Sequence, residues 1–175
     1  MSNRYILDTN VVVDLSSAEL LHALNIDIFA VSNLVLKDEI LLQIPNIKLD
    51  NIKIIYETPL EIKEAYELYS ITKRISAYDA INIIISKRRK YILVTGDKAL
   101  RKVAENNHVK CIGTITIIKE MLNQKIISQE KVIRALIKIK QDSSRRIHRE
   151  VIDKLLNELN NLYATKDSVL SFLLP

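Results

Sequence analysis

Four stretches of the chain carry acids where acids can do chemistry. RYILDTNVVVDL, residues 4–15, puts Asp8 directly after a short apolar run. YILVTGD, residues 91–97, repeats the arrangement with Asp97, two residues beyond Thr95. Asp79 stands three residues after Ser76 in SAYDAINII, and Asp38 and Glu39 are neighbours in VSNLVLKDEI. Carboxylates brought within a few ångströms of one another repel and lose water, so they take up protons or collect cations. A set of oxygen ligands with no histidine or cysteine beside it suits Mg2+ or Mn2+ and not zinc. Two such ions activate water and stabilise both oxygens of an in-line displacement at phosphorus, which is the chemistry of phosphodiester hydrolysis. His22, His108 and His148 are scattered, with no metal-ligand spacing, and the single cysteine, Cys111, excludes an internal disulfide and any multi-cysteine zinc site.

Each acid also has a purely structural role open to it. Asp97 is placed to cap a helix beginning at Lys98, and Asp8 to cap a turn through Thr9. Asp79 is placed as the reciprocal half of a capping box with Ser76, and Glu39 as an ordinary solvated helix residue. Capping does not exclude metal binding, because helix N-termini also aim side chains at a site. A nucleophilic Asp8 of the phosphatase type is discounted, since that pattern wants a second aspartate where Asn10 stands.

The elements that must position these acids alternate. The pattern predicts strands over Tyr5–Leu7, Ile28–Val31, Ile52–Tyr56, residues 91–94 and Lys110–Ile112. Between them it predicts a helix over Ala18–Leu24, one capped by Ser32 or Asn33 and running through Leu42, and one from Thr58-Pro59 to about Arg74. Two more are expected from Ser76 to the basic cluster Lys87–Lys90 and over Lys98–Asn106. Such alternation indicates an α/β fold, a three-layer α/β/α arrangement around a mainly parallel sheet. Asp8 and Asp97 then end strands on one sheet edge, and Asp79 opens a helix facing that edge, where open α/β sheets place their sites.

The remainder is helical. From about Ser128 an apolar stripe runs through Val132, Leu136, Ile147, Val151, Leu155 and Leu159, interrupted at QDSS, residues 141–144. The expected division is a domain over residues 1–124 and a C-terminal helical extension over 125–175, its stripe packed on the domain or at a homodimer contact. The net charge of +5 lies wholly in this later part: residues 1–100 hold 12 Lys+Arg against 13 Asp+Glu, and residues 101–175 hold 14 against 8. A basic region of this kind attracts nucleic acid. One cysteine, no signal peptide and no long apolar run point to a cytoplasmic protein with no membrane association.

LDTNVVVDL, VSNLVLKDEI, SAYDAINII and ILVTGDKALRKVAENNHVKCIGT, in that order and spacing, resemble the PIN-domain family of metal-dependent nucleases over about residues 3–122. The resemblance implies a PIN-like fold and metal ligands at Asp8, Glu39, Asp79 and Asp97, with Asp8 and Asp97 the most direct pair. It favours Glu39 over Asp38, and it gives Asn10 and Thr95 the task of holding ligands or waters. It implies a Mg2+- or Mn2+-dependent endoribonuclease whose product ends are 5′-phosphate and 3′-hydroxyl. The RNA backbone would be held in part by Arg145, Arg146 and Arg149. It also raises a toxin role with an antitoxin partner, although the long helical tail departs from a minimal toxin of this family. A catalytically silent RNA- or protein-binding module on the same fold is the alternative.

Overall fold

The computed structural model describes residues 3–141 and 149–173, with side chains as far as Asn161. Five short strands, β1 (Tyr5–Leu7), β2 (Phe29–Ser32), β3 (Lys53–Ile55), β4 (Ile92–Val94) and β5 (Cys111–Ile112), form one sheet in the order β3-β2-β1-β4-β5. Every pairing is parallel, with Ile6 level with Ala30 on one side and with Leu93 on the other. The sheet is therefore wholly parallel, not only mainly so.

Side chains alternate across the sheet with period two, and both faces are apolar. Ile6, Ala30 and Leu93 face helices α4 (Pro59–Ile71), α5 (Ala77–Arg89) and α6 (Lys98–Asn106). Tyr5, Leu7, Phe29, Val31, Ile92 and Val94 share the opposite core with α1 (Thr9–Ser17), α7 (Thr114–Asn123), α8 (Gln129–Gln141) and α9 (Arg149–Leu173). The result is three layers, α/β/α. Val132, Leu136 and Ile139 of α8 and Ile152, Leu155 and Leu159 of α9 are buried in that second core together with Leu7 and Val11. Lys138 and Lys119 add surface ion pairs to Glu19 and Glu158, at 2.7 and 2.8 Å. Among the described residues, no helix is long and apolar enough to cross a membrane.

Two helix expectations, Ala18–Leu24 and the end of the Thr58-Pro59 helix, are corrected, and one helix has no counterpart in the expected pattern. The helix after β1 begins at Thr9, directly beyond Asp8, and ends at Ser17. β-Branched residues such as Val11, Val12 and Val13 are poor helix formers in isolation. Their burial, with Leu15, against the sheet decides the matter. The expected helix over Ala18–Leu24 is only a 3-10 turn, Leu21–Ala23, because Glu19 stands in the left-handed region at φ 57°. The helix after β2 is capped by Ser32, whose hydroxyl accepts from the Val35 N–H. It runs as α2 (Asn33–Val35), a π turn over Leu36–Ile40 and α3 (Leu41–Gln43). Such π turns recur at functional sites, and this one carries Asp38 and Glu39. The Thr58-Pro59 helix stops at Ile71, three residues short of Arg74, where Thr72 turns extended.

Candidate functional site

The strand order reverses between β1 and β4, since the chain winds outward to β3 before returning to the other side of β1. The crevice beyond the carboxyl ends of the strands at such a reversal is the usual place for a ligand in this architecture. The Asp8 N–H donates to the Val94 carbonyl at 3.1 Å, which joins the two strand ends there. Asp8 occupies the N-cap position of α1 without a side-chain cap bond, so its carboxylate is turned elsewhere. Its Oδ2 accepts from the Thr95 hydroxyl at 2.8 Å, and the same hydroxyl oxygen accepts from the Asp97 N–H at 3.0 Å. Thr95 is fully buried and ties the two acids together.

Asp97 caps α6, with Oδ1 accepting from the Ala99 and Leu100 N–H groups at 2.7 and 2.9 Å. Asp79 completes a capping box at the head of α5: its Oδ2 accepts from the Ser76 N–H at 2.8 Å while its own N–H donates to the Ser76 hydroxyl at 3.0 Å. Glu39 accepts from the hydroxyl of Thr9. Asp38 accepts from the Tyr78 hydroxyl at 3.2 Å. Asp8, Asp38, Glu39, Asp79 and Asp97 all line one open cavity of about 490 Å³, beside Asn10. No cationic side chain lines it among the described residues.

Crowding acids in a partly dry cleft disfavours their charged forms. Burial, followed by the charges of Asp79 and Glu39, pushes Asp8 up to about 7, against the hydrogen bonds from Thr95 and the Thr9 backbone. Burial also raises Glu39, with Asp79 and Asp38 adding to it. Asp79 is raised by burial and by the Asp97 charge, opposed by its bonds from Ser76. Acids raised in this way take up protons more readily than free carboxylates, and a divalent cation would compete with those protons.

The expected residues separate into those this cavity gathers and those it does not. Asp8, Glu39, Asp79, Asp97 and Asn10 border it, and Thr95 lies behind Asp8. Asp38 and Glu39 both border it, so the geometry does not choose between them. Arg149 is exposed at the first residue of α9, while Arg145 and Arg146 lie outside the described residues. Among the described residues, no three His, Cys, Asp or Glu side chains are arranged to grip one ion as they stand. Several of these carboxylates are turned to caps and hydroxyls instead.

Sequence reasoning gave neither Thr9 nor Arg101 a role in the site. Thr9 is signalled only by standing beside Asp8. The Arg101 guanidinium donates to the Thr95 and Cys111 carbonyls at 2.9 and 3.1 Å, clamping the ends of β4 and β5 behind the site. No pattern in the chain announces that clamp, because carbonyl partners leave no trace in sequence.

No curated protein matches the chain. A family model described as a PIN domain matches residues 4–161, from the residue before β1 to well inside α9. With the parallel three-layer fold and the acids at its switch point, that match makes the chain a member of the PIN-domain family, whose members are generally nucleases.

Proposed function

We propose that the protein is a divalent-metal-dependent endoribonuclease that cleaves at the acidic cavity. The observation that supports this most is the meeting of five carboxylates, from four separate parts of the chain, on one cavity, with the buried Asp8 among them pushed up to about 7. Folding gains nothing from placing like charges together, so the arrangement calls for a cation. The donors are all oxygen, which fits Mg2+ or Mn2+. A bound ion of this kind would supply Lewis acidity to water and to the phosphate.

In this reading Asp8 and Asp97 are the direct ligands, and Glu39 and Asp79 complete the shell, directly or through water. The Thr95 hydroxyl holds the Asp8 carboxylate and the Asp97 backbone at a fixed separation. Asn10, exposed at the cavity rim, orients water or substrate. The proposal extends to a toxin restrained by an antitoxin and to a homodimer. Light scattering of the full chain, and inhibition by the product of an adjacent small gene, test those two extensions.

The test of the central claim is cleavage of defined RNAs with Mg2+, Mn2+ or EDTA. Asp97→Asn retains a side-chain oxygen to cap α6, so it should fold. It should cut at least about a hundredfold more slowly, the scale for losing one strong electrostatic contact in a transition state. Equal cleavage by Asp97→Asn overturns the proposal. The silent binding module is favoured by one observation: no three ligand-type side chains grip one ion as they stand among the described residues. That reading requires the melting temperature to be unmoved by Mn2+.

A further inference from the structure

The chain contains two glycines, Gly96 and Gly113. Both border one cleft of about 370 Å³, which opens between the ends of β4 and β5 and is closed on its far side by Val151 of α9. The backbone requires neither glycine, for neither has a positive φ. A Cβ on Gly96 would meet nothing within 4 Å, and one on Gly113 would meet only the Arg101 guanidinium, at 3.8 Å, an ordinary contact. Gly113 also stands at the N-cap of α7 and supplies no side-chain cap. With turn geometry and packing set aside, close approach of another molecule to bare backbone is what a missing Cβ serves.

The charge of the cleft points to what that molecule is. Lys98 and Arg101 line it, and no acid does among the described residues. The acidic cavity lies on the other side of residues 95–98, with Asp97 on its wall and Thr95, Gly96 and Lys98 on the wall of the cleft. Two cavities of opposite sign therefore share one ridge of backbone. Ile112, Ile115 and Val151 give the cleft an apolar side, and Arg149 opens the same helix as Val151.

We propose that this cleft is a nucleotide subsite, holding the residue of an RNA strand next to the phosphate that is cut. The base lies against Ile115 and Val151, the sugar–phosphate backbone passes over Gly96 and Gly113, and Lys98 and Arg101 face the phosphates. The C-terminal helix α9 thereby forms one wall of the substrate groove. The assignment rests on the reading of the acidic cavity as the cleavage site.

The experiment uses the full chain, a short labelled single-stranded RNA of mixed sequence in EDTA, and fluorescence anisotropy, with melting curves in Mn2+ run in parallel. Val151 is 48% exposed, so Val151→Glu brings an anion to the cleft without disturbing a core. Gly113→Ala adds only a Cβ at ordinary contact distance. Val151→Glu should weaken RNA binding about tenfold, the scale of one unit charge set a few ångströms from a strand phosphate at a protein surface, and Gly113→Ala should weaken it in the same direction. Lys98→Gln should lower the slope of log affinity on log salt by about 0.7, one phosphate contact on a single strand. The melting temperatures of Val151→Glu and Gly113→Ala, and their shifts with Mn2+, should match the parent. RNA binding equal to the parent in all three variants overturns the subsite. Weakened RNA binding in them, beside a parent that shows no Mn2+ shift and no cleavage, retires the nuclease reading and leaves the cleft as an RNA-binding surface. A parent that binds no RNA overturns the subsite, and the nuclease reading then stands or falls on cleavage in Mg2+ or Mn2+ alone.

Discussion

Replacing Asp8 with asparagine should stabilise the metal-free protein while disabling it. Asp8 is 4% exposed, and its carboxyl is pushed from 3.8 up to about 7 by burial and then by the charges of Asp79 and Glu39. Between those two values the folded chain binds a proton that the unfolded chain has released, so folding is favoured by acid. Stability therefore falls as pH rises through the window and levels off above about 7. The gap between 3.8 and about 7 corresponds to about 4 kcal/mol at most, a large part of the roughly 5–15 kcal/mol that holds a domain folded. Asparagine keeps an oxygen for the Thr95 hydroxyl and carries no charge, so Asp8→Asn should lose most of this slope. The neighbouring acids titrate with Asp8, so the difference includes their own relief. The assay is urea unfolding in EDTA at several pH values between about 4 and 8.5, for parent and variant, with the difference curve as readout because other ionisations are common to both. Adding Mn2+ at pH 8 should stabilise the parent and not the variant. Parallel stability–pH curves in EDTA would refute the argument that this cavity confines charge.

Three further outcomes follow from other contacts. Thr95→Val removes the donor to Asp8 and the acceptor for the Asp97 N–H; it should cost about 1–3 kcal/mol, raise Asp8 further, and carry the fall in stability on to higher pH. Glu61 is held at about 2 by the Arg89 guanidinium, which reaches Oε1 at 2.7 Å and Oε2 at 2.6 Å. Glu61→Gln should cost about 2 kcal/mol near neutral pH in urea unfolding, discounted because Arg89 is partly exposed; the contribution is full above 4.5 and is lost as pH falls toward 2, so the two proteins converge in acid. A chain ending at Gln124 loses the buried Val132, Leu136, Ile139, Ile152, Leu155 and Leu159. At about 1.5–3 kcal/mol each, these equal a domain's whole stability, so a soluble and equally stable shortened chain would remove the claim that α8 and α9 belong to the core.

What could be read in the sequence was what local chemistry writes there. Ser76 followed by Asp79, and Thr58-Pro59 followed by Glu61, set helix starts that the structure keeps, because a cap is an agreement among residues within one turn. The Lys98–Asn106 helix is placed for the same reason, with Asp97 before it. Distant partners leave no such mark. The valine run after Asp8 becomes helix only because the sheet buries it, and the Arg101 clamp is made with backbone carbonyls of other elements. The π turn was equally hidden, so Asp38 and Glu39 looked like competitors where both border the cavity. The acids themselves carry the deeper point. The sequence leaves cap and ligand compatible, and Asp79 and Asp97 do cap while the heads of α5 and α6 border the cavity with Asp8. An acid at the start of a helix on the carboxyl edge of a parallel sheet has already been aimed at its neighbours. Its structural role is therefore the device that builds the pocket, and finding the cap in place counts nothing against the pocket.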